Sequence, residues 1–239
     1  MYTISEEIKM IINNKINNLY VPDGFSQTED GLDGYAEKFI DTLWETFSCD
    51  DILTGASKCV VLLCNQNFVL KIPFEGKQIW EQVRNYGAEE YNSDDYDFVF
   101  YPFDRARTKD HWDYCNDEVE IFKKAEAAGV SSFFARTDFY GYSKDNHPIY
   151  VQERCEVFGS VDVDDMYKNL SKEIKTSASN VSSVLPEEWI ALAIKYFGQE
   201  LTNKFLAFVE DEDIDDLHSE NFGFIGDRPV LIDYSGYSD

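Results

Sequence analysis

Three side chains near one end of this sequence have the types and spacing to hold a hard cation. In DLHSENFGFIGDRPVLIDYSG, Asp216, Asn221 and Asp233 supply oxygen donors around a hairpin-like pattern. Mg²⁺ prefers oxygen ligands, and an amide oxygen with carboxylates suits it. A calcium-binding EF-hand loop can be tested on the same acids. Counted from Asp211, acids fall at the third and fifth positions, but Asp216 stands where the loop requires glycine and Phe222 where it requires glutamate. That reading fails.

The elements that must position these residues can be read from periodicity. Residues 4–19 (ISEEIKMIINNKINNL) place Ile4, Ile8, Ile11, Ile12, Ile16 and Leu19 at helical spacing. The Pro22–Gly24 turn and SQTEDGLDG end that helix, and YAEKFIDTLWETF predicts a second with Phe39, Leu43, Trp44 and Phe47 on one side. CVVLLCNQNFVLKIPF reads as two strands joined at Asn65–Asn67. Residues 75–113 lack clean periodicity and read as an insertion with a helix near QIWEQVRNY. NDEVEIFKKAEAAG predicts a helix capped by Gly129, and FFARTDFYGYSKDNHPIYVQERCEV two strands around Lys-Asp-Asn. The serine-rich SKEIKTSASNVSSVLPEE reads as a mobile loop, and Pro186 opens one long helix through IALAIKYFGQELTNKFLAFVE. A hairpin turning near Gly226-Asp227 follows. The order predicts an α+β protein of two lobes.

Composition bounds the function. With 239 residues, 44% hydrophobic and 15% aromatic, the chain can bury real cores. Cys49, Cys59, Cys64, Cys115 and Cys155 are scattered without a CxxC pair, so reduced thiols and no zinc site are expected. There is no secretory pattern in MYTISEEIKMIINNK and no membrane-length apolar run, which points to the cytoplasm. The formal charge of −25, from 46 acidic and 21 basic residues, opposes binding to nucleic acids or anionic membranes. It serves solubility, and it also suits attraction of a basic protein partner.

The motifs, in their order, resemble the protein-kinase fold. DLHSEN resembles the D-L-x-x-x-N part of the catalytic loop, in the variant found in aminoglycoside phosphotransferases, and VLIDYSG stands where kinases carry D-F-G. FVLKI resembles the strand-lysine motif, LTGASKCVV a reduced glycine-rich loop with Gly55, and NDEVEIF the αC helix. IYVQERC sits where the hinge is expected. The resemblance covers roughly residues 50–239. As a whole the chain is also similar to short bacteriophage-encoded kinase-like proteins, which implies the host cytoplasm as its setting.

The resemblance implies ATP and Mg²⁺ as cofactors and a role for each residue. Lys71 would contact the α and β phosphates, oriented by Glu118, with Glu120 the competing choice. Asn221 and Asp233 would hold the metal, and Asp216 would orient and deprotonate the acceptor hydroxyl. Gly55 would let the backbone approach the phosphates; Gln152 would be the gatekeeper, with Glu153 to Cys155 facing the adenine. Singly, each has a plainer reading. Lys71 alone would be a strand-edge surface lysine, Glu118 a solvated helix acid, Asp216 the end of the solvated run DEDIDD, Gly55 a turn glycine, and His218 a cap or brace for its loop.

The pattern also departs from the family. Ile214 and Asp215 replace the histidine and arginine of H-R-D, one glycine remains in the loop, and only YSGYSD follows Asp233. The expectation is therefore a helical extension at 1–49, a kinase-like N-lobe at 50–155 and a reduced C-lobe at 156–239, without activation segment or following helices. Two functions compete: a phosphotransferase acting on a protein or small-molecule hydroxyl, and a weak or inactive kinase-like scaffold whose acidic surface inhibits a basic, nucleic-acid-binding protein.

Overall fold

The computed structural model of the chain describes residues 4–19, 40–47, 51–54, 58–63, 66–73, 114–144, 146–161, 163–181, 185–214 and 217–235. Gly55, Asp216, Phe39, the Pro22–Gly24 turn and the 75–113 insertion with its expected helix lie outside these residues. The protein is α+β. It divides into two compact units, Met1–Asn116 with Asp138–Gln152, and Asp117–Thr137 with Glu153–Asp239. This division differs from boundaries at 49/50 and 155/156: the early helices share a unit with the large sheet, and the helix carrying Glu118 belongs from Asp117 onward to the other.

In the first unit, α1 (Glu6–Ile16) starts where the Ser5 hydroxyl accepts from the Ile8 amide, 3.3 Å away, satisfying one orphan donor of the first turn. Its inward face is Ile12 and Ile16, whereas Ile11, expected to share that face, is 48% exposed. Residues 40–47 form α2, which buries Leu43 and Phe47 but leaves Trp44 at 43% exposure. Trp44 therefore does not share their face, because one residue along a helix turns about 100° whereas four return to nearly the same side.

Both helices pack on a five-stranded sheet of order β1-β2-β3-β5-β4. Its strands are β1 (Asp51–Thr54), β2 (Lys58–Leu62), β3 (Phe68–Pro73), β4 (Thr137–Tyr142) and β5 (Pro148–Glu153). The β2–β3 pairing is antiparallel, with Val60 opposite Lys71. Strand side chains alternate between faces. Cys59, Val61, Phe68, Leu70, Ile72, Ile149 and Val151 form the core with the helices, so Val60, Val69, Lys71, Tyr150 and Gln152 lie on the other face.

In the second unit, α3 (Tyr114–Ala128) stops at Gly129, whose φ of 70° is a left-handed conformation that glycine adopts without strain. Its Phe122 and Ala125 enter a core with Phe134, Trp189, Phe205, Phe222 and Tyr234. A short helix, α4 (Val163–Lys168), precedes the serine-rich stretch. That stretch is not a loop throughout: Lys172–Ser179 forms α5, capped by the Ser171 hydroxyl on the Ile174 amide, with Ala178 buried. Serine disfavours helix interiors but is among the best N-caps, and one cap plus a buried residue outweighs the composition.

The long helix expected after Pro186 is two, α6 (Glu187–Phe197) and α7 (Gln199–Asp211). Gly198, at φ 86° and ψ 158°, breaks it in a region of backbone space that side chains other than hydrogen avoid. A three-stranded sheet of order β6-β7-β8 completes the unit, with β6 Glu156–Val157, β7 Phe222–Ile225 and β8 Arg228–Leu231. The expected turn is there, with Gly226 at φ 60° joining Ile225 to Arg228.

Candidate functional site

In the first unit, Lys71 is only 2% exposed on the middle strand of the sheet. A strand-edge surface lysine would project its ammonium into water; this one does not. Gln152, 1% exposed on neighbouring β5, shares its face of the sheet. The side chains on that face are opposite to the one that α1 and α2 cover, so the strand period assigns Lys71 to the half of the sheet not used for the helical core.

In the second unit, the β7–β8 hairpin brings Asn221 and Asp233 to one end. Phe222 pairs with Leu231, and one step further the Ile232 amide donates to the Asn221 carbonyl at 2.9 Å. Asn221 is 6% exposed and Asp233 half-buried. Ser235 Oγ donates to Asp233 Oδ1 at 3.4 Å. Just upstream, His218 Nδ1 accepts from the Glu220 amide at 3.3 Å and caps the single turn that carries Asn221. Ile214 and Leu217 belong to the apolar core. Gly223 lets β6 come close: a Cβ there would lie 2.6 Å from the Glu156 carbonyl oxygen.

Glu118 is completely buried and accepts from Thr137 Oγ1 at 2.9 Å. Its competitor Glu120 is an exposed residue that pairs with Lys123 at 2.7 Å. Thr137 is also 3.0 Å from the Tyr234 hydroxyl, which lies 2.9 Å from the Ala135 carbonyl oxygen. Tyr234 thus fixes the backbone immediately beside Asp233. Glu153 Oε2 accepts from Arg228 Nη2 at 2.9 Å and from the Arg136 amide at 3.1 Å. Its side chain is engaged in tying the start of β8 to the 132–136 segment. Cys155 is half-buried two residues on.

Among the described residues no group of three or more His, Cys, Asp or Glu side chains could hold a metal ion. Asn221 and Asp233 form a smaller donor set, one amide oxygen and one carboxylate. That chemistry fits Mg²⁺, which keeps several waters and needs only one or two protein oxygens beside a phosphate. Comparison of the chain with family models, with curated proteins and with solved structures gives no match. Among the described residues no helix is long and apolar enough to cross a membrane.

The hairpin end and Lys71 were visible in the sequence as motif positions; Thr137, Tyr234 and Arg228 were not. The one available signal was the aromatic after Asp233 in VLIDYSG. Its partner Thr137 is 97 residues away in the chain.

Proposed function

We propose that this chain is an ATP- and Mg²⁺-dependent phosphotransferase of protein-kinase-like type, acting on a protein or small-molecule hydroxyl. The observation that carries the reading is the Ile232–Asn221 backbone bond, 2.9 Å long, which closes the hairpin so that Asn221 and Asp233 emerge at the same end. The burial of Lys71 and Glu118 adds support, since an ordinary surface lysine and a solvated helix acid would keep their charges in water.

On this reading Lys71 binds the α and β phosphates, and Asn221 and Asp233 supply oxygens to the metal. When bound, Mg²⁺ would neutralise charge on the β and γ phosphates. Asp216 orients the acceptor hydroxyl and takes its proton as the γ-phosphoryl group moves to that oxygen, leaving the nucleoside diphosphate. Glu153 to Cys155 face the base, with Gln152 beside them. Gly55 permits the close approach of backbone to phosphate.

The test is the melting temperature of wild type and Asp233→Ala with ATP, with and without Mg²⁺. A Mg²⁺-dependent rise in the wild type, lost in the variant, supports the reading. It falls if neither protein responds, or if γ-phosphate never leaves ATP in the presence of any acceptor or of the chain itself.

The net charge of −25 favours a second reading, a kinase-like scaffold that sequesters a basic protein. Its signature is a complex that weakens with salt yet survives Lys71→Ala and Asp233→Ala.

A further inference from the structure

The phenol of Tyr234 is the only part of that side chain with hydrogen-bonding capacity, and it is spent inside the protein. The residue is fully buried, its ring edge-on to Phe134 with centroids 4.8 Å apart. Its hydroxyl reaches the Ala135 carbonyl at 2.9 Å and Thr137 Oγ1 at 3.0 Å. Thr137, 1% exposed, reaches Glu118 Oε2 at 2.9 Å. The same 134–137 segment is laid against β8: Phe134 bridges Leu231, and the Ala135 amide donates to the Leu231 carbonyl at 2.8 Å.

A purely structural aromatic at this place would be served by phenylalanine. Burying a hydroxyl is unfavourable unless it is hydrogen-bonded, so the polar tip must serve contacts that a phenyl ring cannot make. Thr137 gives its one proton to Glu118, and the phenol shares its one proton between Thr137 Oγ1 and the Ala135 carbonyl, so the contacts run from Glu118 through Thr137 to Tyr234, one peptide from Asp233. On the far side of Tyr234, Ser235 turns back to donate to the Asp233 carboxylate. Asp233 is thus held from both flanks, and one flank leads to the buried carboxylate of α3.

We infer that Tyr234, through Thr137, is a positioning residue that couples the Glu118 carboxylate to the orientation of Asp233 as a metal ligand. The inference rests on the metal-binding part of the proposed function. It predicts that loss of one hydroxyl, with ring and methyl packing retained, weakens metal binding at Asp233 without touching a ligand. Groups hydrogen-bonded to a metal ligand commonly change its affinity by about 10-fold or more when removed, and Tyr234 acts on Asp233 through the one peptide that joins them.

The experiment titrates Mn²⁺ against the full chain at fixed, saturating ATP and reads the Mn²⁺ concentration that gives half of the melting-temperature rise. Tyr234→Phe and Thr137→Val are each expected to raise that concentration about 10-fold. Thr137→Ser, which keeps the hydroxyl, is expected to stay within twofold of wild type. Glu118→Ala, which removes the acceptor, should shift the midpoint in the wild-type background and add nothing in the Tyr234→Phe background, because the chain is already cut. A merely structural role would lower the melting temperature without metal and leave the Mn²⁺ midpoint unmoved.

Midpoints for Tyr234→Phe and Thr137→Val within twofold of wild type, alongside a flat Asp233→Ala, overturn the coupling and leave the metal site standing. A wild type with no Mn²⁺-dependent rise, or an Asp233→Ala variant that keeps it, overturns the proposed function and the coupling together. Should Tyr234→Phe not fold, the contrast between Thr137→Val and Thr137→Ser decides alone.

Discussion

Arg228 Nη2 lies 2.9 Å from Glu153 Oε2, and its Nη1 donates to the Ser132 carbonyl at 3.1 Å. The guanidinium at the start of β8 therefore holds two backbone neighbourhoods, one beside Glu153 and one beside Ser132. With side-chain exposures of 22% and 10%, this pair is far better shielded than an ordinary surface ion pair. Removing the arginine would leave a mostly buried carboxylate with the Arg136 amide as its remaining described partner. Arg228→Ala is expected to cost about 2 kcal/mol, read as a lower urea midpoint at unchanged slope. Glu153→Gln, which keeps an acceptor for both donors, should cost less than half of that.

Two glycines of the same hairpin should behave differently when replaced by alanine. At Gly223 the new Cβ would meet the Glu156 carbonyl oxygen at 2.6 Å and Ile232 Cδ1 at 2.9 Å. Backbone cannot move aside as a side-chain end can, so β6 must separate from β7 at a cost of about 1–3 kcal/mol. At Gly226 nothing lies within 4 Å, but φ is 60°. There the cost is the conformational strain alone, about 1 kcal/mol. Amide exchange should separate the two: Gly223→Ala exposes the β6–β7 amides, and Gly226→Ala leaves them protected.

A phenol and a carboxylate on the surface provide a pH signature. Tyr167 donates to Glu187 Oε1 at 2.6 Å, and Ser179 donates to the same oxygen at 2.8 Å. The hydrogen bond to Glu187 pushes the phenol up to about 12, and the bond from Tyr167 is the larger cause that holds the Glu187 carboxyl below its usual range, with Ser179 second. For the raised phenol, the favourable contact is fully present below its ordinary value and is lost as pH rises through about 12. For the lowered carboxyl, it is present above the ordinary carboxylate range and is lost as pH falls through the depressed value. Phenolate absorbance should show one tyrosine ionising near 12 in wild type and lower in Glu187→Gln. In Tyr167→Phe the Glu187 carboxyl should titrate higher by carbon NMR.

Trp189 is fully buried against Phe205 and Phe222, and its indole nitrogen has no hydrogen-bond partner among the described residues. Trp189→Phe removes that donor along with some volume, so the two effects oppose. Trp189→Ala leaves only the cavity and is expected to cost about 3–5 kcal/mol. Chemical denaturation should place the phenylalanine variant clearly above the alanine one.

What the sequence could announce was local. Gly129 and Gly226 mark chain reversals because a left-handed residue is needed there and glycine provides it. The runs around Phe122 and around Val60 and Leu70 carry the helical and strand periods in neighbouring residues, and the β2–β3 and β7–β8 hairpins pair segments close in the chain. Asn221 and Asp233 were legible for the same reason, being the two ends of one hairpin.

What required tertiary structure was every feature that depends on distant partners. The sequence could not say that Trp44 turns outward while Leu43 turns inward, since both are apolar and adjacent. It read serines 171–179 by composition, where a single cap and a buried alanine decide for helix. It treated Gly198 as one residue in an apolar period, whereas its backbone conformation ends one helix and starts the next. Above all, it could not bring Thr137 to Tyr234 across 97 residues, or bury Glu118 completely. Periodicity records which side of an element is apolar; which polar groups meet there is settled only when the elements pack and most buried donors find acceptors.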